Sequence, residues 1–200
     1  MIRSKSNIVK PRHVGQYVLA LALCFSTFNA SALTVVERSF EELVARADTI
    51  LIGTVSERSP QWQNPTLQNY IVTDTLLTDV EILKGAPSET YTLRTKGGKL
   101  GPYREYYEGL PQLLIDERYV LFIKNNYQAI FPIVGIDQGV LRIITNANNE
   151  ETVTSTQGEA LSLQPSPQNQ VSKSLQPNSS IAHPTLSVAE LKNAIHNELH

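Results

Sequence analysis

Neutral-pH chemistry needs side chains that exchange protons or bind soft metals near pH 7, and this 200-residue chain concentrates them at its two ends. Its one cysteine, Cys24, and His13 lie near the amino terminus, while His183, His196 and His200 lie near the other. From Leu33 to Asn146 there is neither histidine nor cysteine, so that stretch offers no imidazole base, no thiolate nucleophile and no soft metal ligand. The G-x-S-x-G pattern of a serine hydrolase is also missing. His196 and His200 are four residues apart, a spacing that puts two imidazoles on one helical face. His200 is the last residue, however, where helices fray, and histidine there also suits the helix dipole. No catalytic residue, metal site or cofactor is expected.

Carboxylates are the remaining reactive groups. Glu105, Glu108, Asp116 and Glu117 fall in or beside a segment that also holds Tyr103, Arg104, Tyr106 and Tyr107. Two acids held at the right separation can hydrolyse a glycoside, which makes an envelope glycan hydrolase one alternative. The tyrosines point elsewhere, because they supply contact area with little rotamer entropy to lose. A recognition surface of Tyr103, Arg104, Tyr106 and Tyr107 is the expectation, with Trp62 as a further binding residue. Trp62 sits between glutamines near Pro60 and Pro65, where a tryptophan serves either as a lid over the core or as a ligand anchor. The run Lys96 to Gly101, KGGKLG, lacks the spacing of a phosphate loop and a following helix, and reads as a glycine-rich turn.

Those residues depend on elements that differ in character along the chain. Residues 1–32 carry Arg3, Lys5, Lys10 and Arg12 without an acid, then an apolar run of about fifteen residues, then Ala30-Ser31-Ala32. This reads as a secretory signal peptide, too short for a permanent membrane span. Cys24 follows Leu23, which is not the small residue a lipidation signal prefers. The product is expected to be exported, periplasmic or extracellular, without a transmembrane anchor. Setting the leader's four bases aside from the chain's seventeen leaves thirteen against nineteen acids. An acidic balance argues against nucleic acid as a partner.

Residues 33–146 are rich in Ile, Val, Leu, Thr and Tyr and read as a β domain. It opens with a capping box, Ser39 and Glu42, and a helix whose Phe40, Leu43, Val44 and Ala47 share a face. Strands are predicted at Ile50–Val55, Tyr70–Leu83, Thr90–Thr95, Arg118–Lys124, Tyr127–Val134 and Val140–Ile144, with a long loop over Lys99–Asp116. Residues 147–185, rich in Gln, Ser, Pro and Asn, read as a flexible linker. Residues 186–200 form a short amphipathic helix capped by Ser187 and Glu190, with Val188, Leu191, Ile195 and Leu199 on one face, docked on its own domain or on a partner. The fold class is mainly β: a small barrel of about six strands with a flanking N-terminal helix and a short C-terminal one.

The order ADTILIGTV, VEILKG, YTLRT and ERYVLFI resembles the netrin-like module, the OB-type barrel also seen in tissue inhibitors of metalloproteinases. It is similar, too, to exported bacterial proteins with a Leu-Lys-Gly turn and a Gly-Gly loop, some of which occur alongside matrixin-type metalloproteases. The matching residues are Ala47, Asp48, Gly53, Val55, Leu83, Lys84, Gly85, Gly97, Gly98, Gly109, Pro111, Glu117, Val120, Leu121 and Phe122. The resemblance implies an OB-like barrel and a protein partner, with a secreted metalloprotease as the class. It does not lend the inhibitors' chelating cysteine, because no cysteine follows Cys24. The expected function is a non-catalytic exported module that binds another protein, with a glycan hydrolase or a small-ligand carrier as alternatives.

Overall fold

The computed structural model describes residues 38–107, 109–165, 173–177 and 185–200. The leader, Cys24, Glu108 and His183 lie outside the described residues. Both capping boxes form. Ser39 caps α1 (Phe40–Arg46), its hydroxyl accepting from Glu42 N–H while Glu42 accepts from Ser39 N–H. The other end of α1 is closed from a distance: Lys84 Nζ donates to the carbonyls of Val44 (2.7 Å) and Ala45 (3.3 Å), where the dipole favours a cation.

The strands are β1 (Thr49–Trp62), β2 (Ile71–Lys84), β3 (Tyr91–Lys96), β4 (Gly98–Leu100), β5 (Tyr103–Glu105), β6 (Arg118–Ile123), β7 (Val140–Thr145), β8 (Glu151–Thr154), β9 (Leu161–Pro165) and β10 (Lys173–Pro177), followed by α2 (Val188–Leu199). Six of them make one antiparallel sheet in the order β3-β2-β1-β6-β7-β8. The mainly β expectation holds, with a helix near each end of the described chain. The sheet is not closed into a barrel.

Alternation along the central strands gives the sheet two apolar faces. Ile50, Ile52, Val120, Phe122, Leu141 and Ile143 face one cluster; Leu51, Val55, Tyr119, Leu121, Ile123 and Val140 face the other. The first cluster is covered by α1 and α2, through Phe40, Leu43 and Val44 on one and Val188, Leu191 and Ile195 on the other. Phe40 meets Phe122 edge to face at 6.3 Å. The terminal helix therefore docks on its own domain.

Three departures from the sequence reading follow from pairing. First, β1 runs on through Pro60 to Trp62, a stretch expected as loop. Beyond Thr54 it has β2 on one side and no β6 on the other, so the missing Pro60 N–H breaks no ladder. Second, residues 127–134 are turns rather than a strand, touching β6 only at the Ile123–Ile133 bridge. Asn125, Tyr127 and Ile136 take positive φ there, and Pro132 cannot donate. This turn segment, instead of a barrel strand, meets the free edge of β3: the Asn126 amide accepts from Arg94 N–H (3.1 Å) and donates to Thr92 O (2.7 Å), and Lys96 N–H reaches Ile130 O.

Third, the region expected as a flexible linker contains β8, β9 and β10. β8 joins the sheet beside β7. The other two form a ribbon in which Leu163 pairs with Leu175, and Ser162 and Ser174 are buried. The chain before α2 ties these pieces together, with Val153 N–H donating to Leu186 O and Leu186 N–H to Leu161 O. Among the described residues, no helix is long and apolar enough to cross a membrane.

Candidate functional site

The expected long loop, Lys99–Asp116, contains an element that composition hides. After β3 the chain turns at Gly97 and Gly98, both at positive φ, into the β4–β5 hairpin, closed at Gly101-Pro102. Glycine is required here by space as well as by φ. A Cβ on Gly98 would stand 2.3 Å from Thr73 Oγ1, and one on Gly97 would stand 2.8 Å from Glu105 O. Thr73 donates to Gly97 O (2.6 Å), Gly97 N–H donates to Ile71 O (2.8 Å), and Glu105 accepts from Ile71 N–H (3.1 Å). The hairpin is thus fastened to the start of β2.

Beyond β5 the segment returns to the sheet. Leu113 is buried in the second cluster, Leu114 N–H donates to the Tyr119 hydroxyl (3.1 Å), and Asp116 N–H reaches Val55 O (2.8 Å). Between this segment, the end of β3 and the turns at 131–136 lies a cavity of about 150 Å³. Leu110, Leu113, Phe131 and Ile133 give it apolar wall; Arg58, Lys96, Lys99 and Glu105 give it charge.

Lys96 is held between two aromatic faces, 4.7 Å from the Tyr70 ring centre and 4.9 Å from that of Tyr107. Its pKa is raised, first by the Tyr107 phenol, against an opposing effect of burial, so it stays a cation at neutral pH. Tyr107 also packs on Phe131 at 5.6 Å. Arg58 has a buried Nε without a hydrogen-bond partner among the described residues. Ile136 lines the same cavity at φ +57, a costly backbone for a β-branched residue.

The expected binding residues fall into two neighbouring groups. Trp62, at the end of β1, packs on Tyr103 of β5 with ring centres 5.2 Å apart. Tyr103 is 54% exposed, so this pair covers little core. Arg104 is exposed and stands opposite Lys99 across the hairpin. Tyr106, 60% exposed, and Tyr107 line the cavity, and Trp62 and Tyr103 do not. The hairpin links the two groups, since it carries Tyr103 and Arg104 as well as the cavity residues Gly98, Lys99 and Glu105.

Of the acids of the hydrolase alternative, Glu105 and Glu117 are engaged separately. Glu105 accepts from the Ile71 backbone, and Glu117 forms a paired-oxygen contact with Arg142. Asp116 is exposed in a turn at φ +65. His196 and His200 meet edge to face with ring centres 4.5 Å apart at the end of α2. Among the described residues no three His, Cys, Asp or Glu side chains gather as metal ligands.

Sequence reasoning missed Arg58, Phe131 and Ile136 as cavity residues, and treated Lys96 only as part of a turn. Arg58 carries no local signal, since it reaches the site only because β1 continues past its expected end. Comparison of the chain with family models, curated proteins and solved structures returned no match.

Proposed function

We propose that this protein is a non-catalytic, exported binding module that takes hold of another protein at the end of the sheet where the β4–β5 hairpin stands. One observation carries the reading: the hairpin fastened to the sheet carries Tyr103, which packs on Trp62 of β1, and also lines the cavity that Tyr107 and exposed Tyr106 wall just beyond β5. Exposed aromatic rings on a fixed support bury large area with few rotors to freeze, which is how interface anchors behave. The cavity lined by Tyr106 and Tyr107 can take a side chain from the partner. The resemblance to netrin-like modules makes a secreted metalloprotease of the matrixin type the first partner to test.

The test is calorimetric titration of the intact protein with a purified matrixin-type protease domain. Trp62→Ala and Tyr106→Ala are each expected to weaken binding by about 2 kcal/mol or more, as central anchors do. Binding unchanged by both substitutions would remove this surface from the account. Turnover of glycan substrates that one of Glu105→Gln or Asp116→Asn abolishes would replace the reading with the hydrolase.

A further inference from the structure

We infer that the cavity beneath Tyr106 is a binding site for a carboxylate carried on an apolar group about the size of one aromatic ring. The size follows from the volume: about 150 Å³ is the scale of a protein cavity that admits benzene, well short of the space a drug-sized ligand needs. The apolar half of the claim rests on the wall of Leu110, Leu113, Phe131 and Ile133.

The charged half rests on an imbalance. In a chain with more acids than bases, the described residues lining this cavity include three cations, Arg58, Lys96 and Lys99, and one acid, Glu105. Glu105 already accepts from Ile71 N–H, and among the described residues none of the three cations forms an ion pair with an acid. Arg104 adds a fourth positive group directly across the hairpin from Lys99, an arrangement that opposes like charges and gains nothing for the sheet itself.

Two further details distinguish the cavity wall. The buried Arg58 Nε has no acceptor among the described residues, and an unpaired buried donor costs stability. Ile136 holds a strained backbone at the cavity wall, the kind of strain that gathers at ligand sites. A carboxylate suits both Arg58 and Lys96. It accepts from the guanidinium fork and neutralises Lys96, whose place between Tyr70 and Tyr107 fixes the charge at the wall. The group can arrive as a free acid or as an acidic residue beside an aromatic one in a partner chain. The inference concerns the cavity and stands whether or not the outer aromatic surface binds a protein.

The test is NMR titration of the intact protein, reading the amides of Gly97 and Gly98, with 3-phenylpropionate and its neutral amide, and with a blocked Phe-Glu dipeptide and its Phe-Gln counterpart. Either acid is expected to bind roughly tenfold or more tightly than its neutral match, and Arg58→Gln and Lys96→Gln are each expected to erase that preference while the rest of the spectrum stays native. Arg58→Lys, which keeps charge and loses the fork, guards against a folding artefact and is expected to retain part of the preference. Binding by the free acid alone, or by the dipeptide alone, identifies the source. Equal binding of acids and neutral matches, or no shift at either glycine with any of the four at millimolar concentration, would overturn the inference. A protease titration that loses affinity with Trp62→Ala but not with Arg58→Gln would leave the protein interface intact and remove the cavity from it.

Discussion

Tyr119 shows how one side chain holds the wall of the site. It is buried in the second apolar cluster, and its hydroxyl accepts from Leu114 N–H, pinning the segment that carries Leu113 into the cavity. Burial is the largest influence on its pKa, which is raised above the usual 10.0. A phenol whose pKa is raised by folding stabilises the native state fully below the unfolded value and loses that contribution as pH climbs through the folded one. Tyr119→Phe is expected to cost about 1 kcal/mol in a denaturant melt, because the Leu114 N–H loses its acceptor, and to remove one high-midpoint transition from the tyrosine absorbance titration. A variant of wild-type stability with the same titration would show that the hydroxyl holds nothing. The sequence marks Tyr119 only as a strand residue. Its partner is five residues back, across a turn at Asp116 that composition does not reveal.

Among the elements, those legible in the sequence are the ones with local causes. Both helices start at Ser-x-x-Glu boxes, and each box closes as its spacing demands. Glu190 shows the consequence. The Ser187 N–H, then the Ser187 hydroxyl, hold its carboxyl below the ordinary 4.5. A lowered carboxylate contributes stability that is full above the unfolded value and is lost as pH falls through the folded one. Ser187→Ala is expected to lower stability by about 1 kcal/mol at pH 7, by a chemical melt, with the gap from wild type narrowing in acid as Glu190 protonates but not closing, since the Ser187 hydroxyl also accepts from Glu190 N–H. A gap that stays constant to pH 2 would mean the box is not what the substitution removed.

What the sequence concealed was set by partners far along the chain. The second half of β1 exists because β2 pairs with it to Trp62–Ile71. The turns at 127–134 persist because the Asn126 side chain does the work of a strand against β3. β9 and β10 were masked by their polar composition, although each carries the tetrapeptide Ser-Leu-Gln-Pro, at 162–165 and 174–177. The two copies pair about Leu163–Leu175, with Ser162 opposite Gln176 and Gln164 opposite Ser174. A repeat of that kind was the available signal; composition alone pointed to linker.

For the whole molecule, the decisive feature is that the first apolar cluster needs residues beyond Asn146, about the last quarter of the chain. Val153, Leu161, Leu186, Val188, Leu191 and Ile195 are buried together with Phe40, Ile50, Ile52, Val120 and Phe122. A chain ending at Asn146 is therefore expected to lose cooperative unfolding by calorimetry, and Leu191→Ala in the intact chain to cost about 2 to 5 kcal/mol. A truncated chain that melts as sharply as the intact one would make the β domain self-sufficient. The second cluster lies on the opposite face and supports the cavity. The two-faced sheet thus has one core that depends on the end of the chain and another that backs the cavity.

The account turns on recognition at that end without chemistry, and amide shift mapping of the intact protein against a matrixin-type protease domain tests it most directly. The expected result is a contiguous set of shifts at the Trp62 indole and at Gly97, Gly98, Tyr103, Tyr106 and Tyr107, with α2 and β8 unmoved. Shifts gathered on α2 or β8 instead, or none at saturating protease, would contradict it.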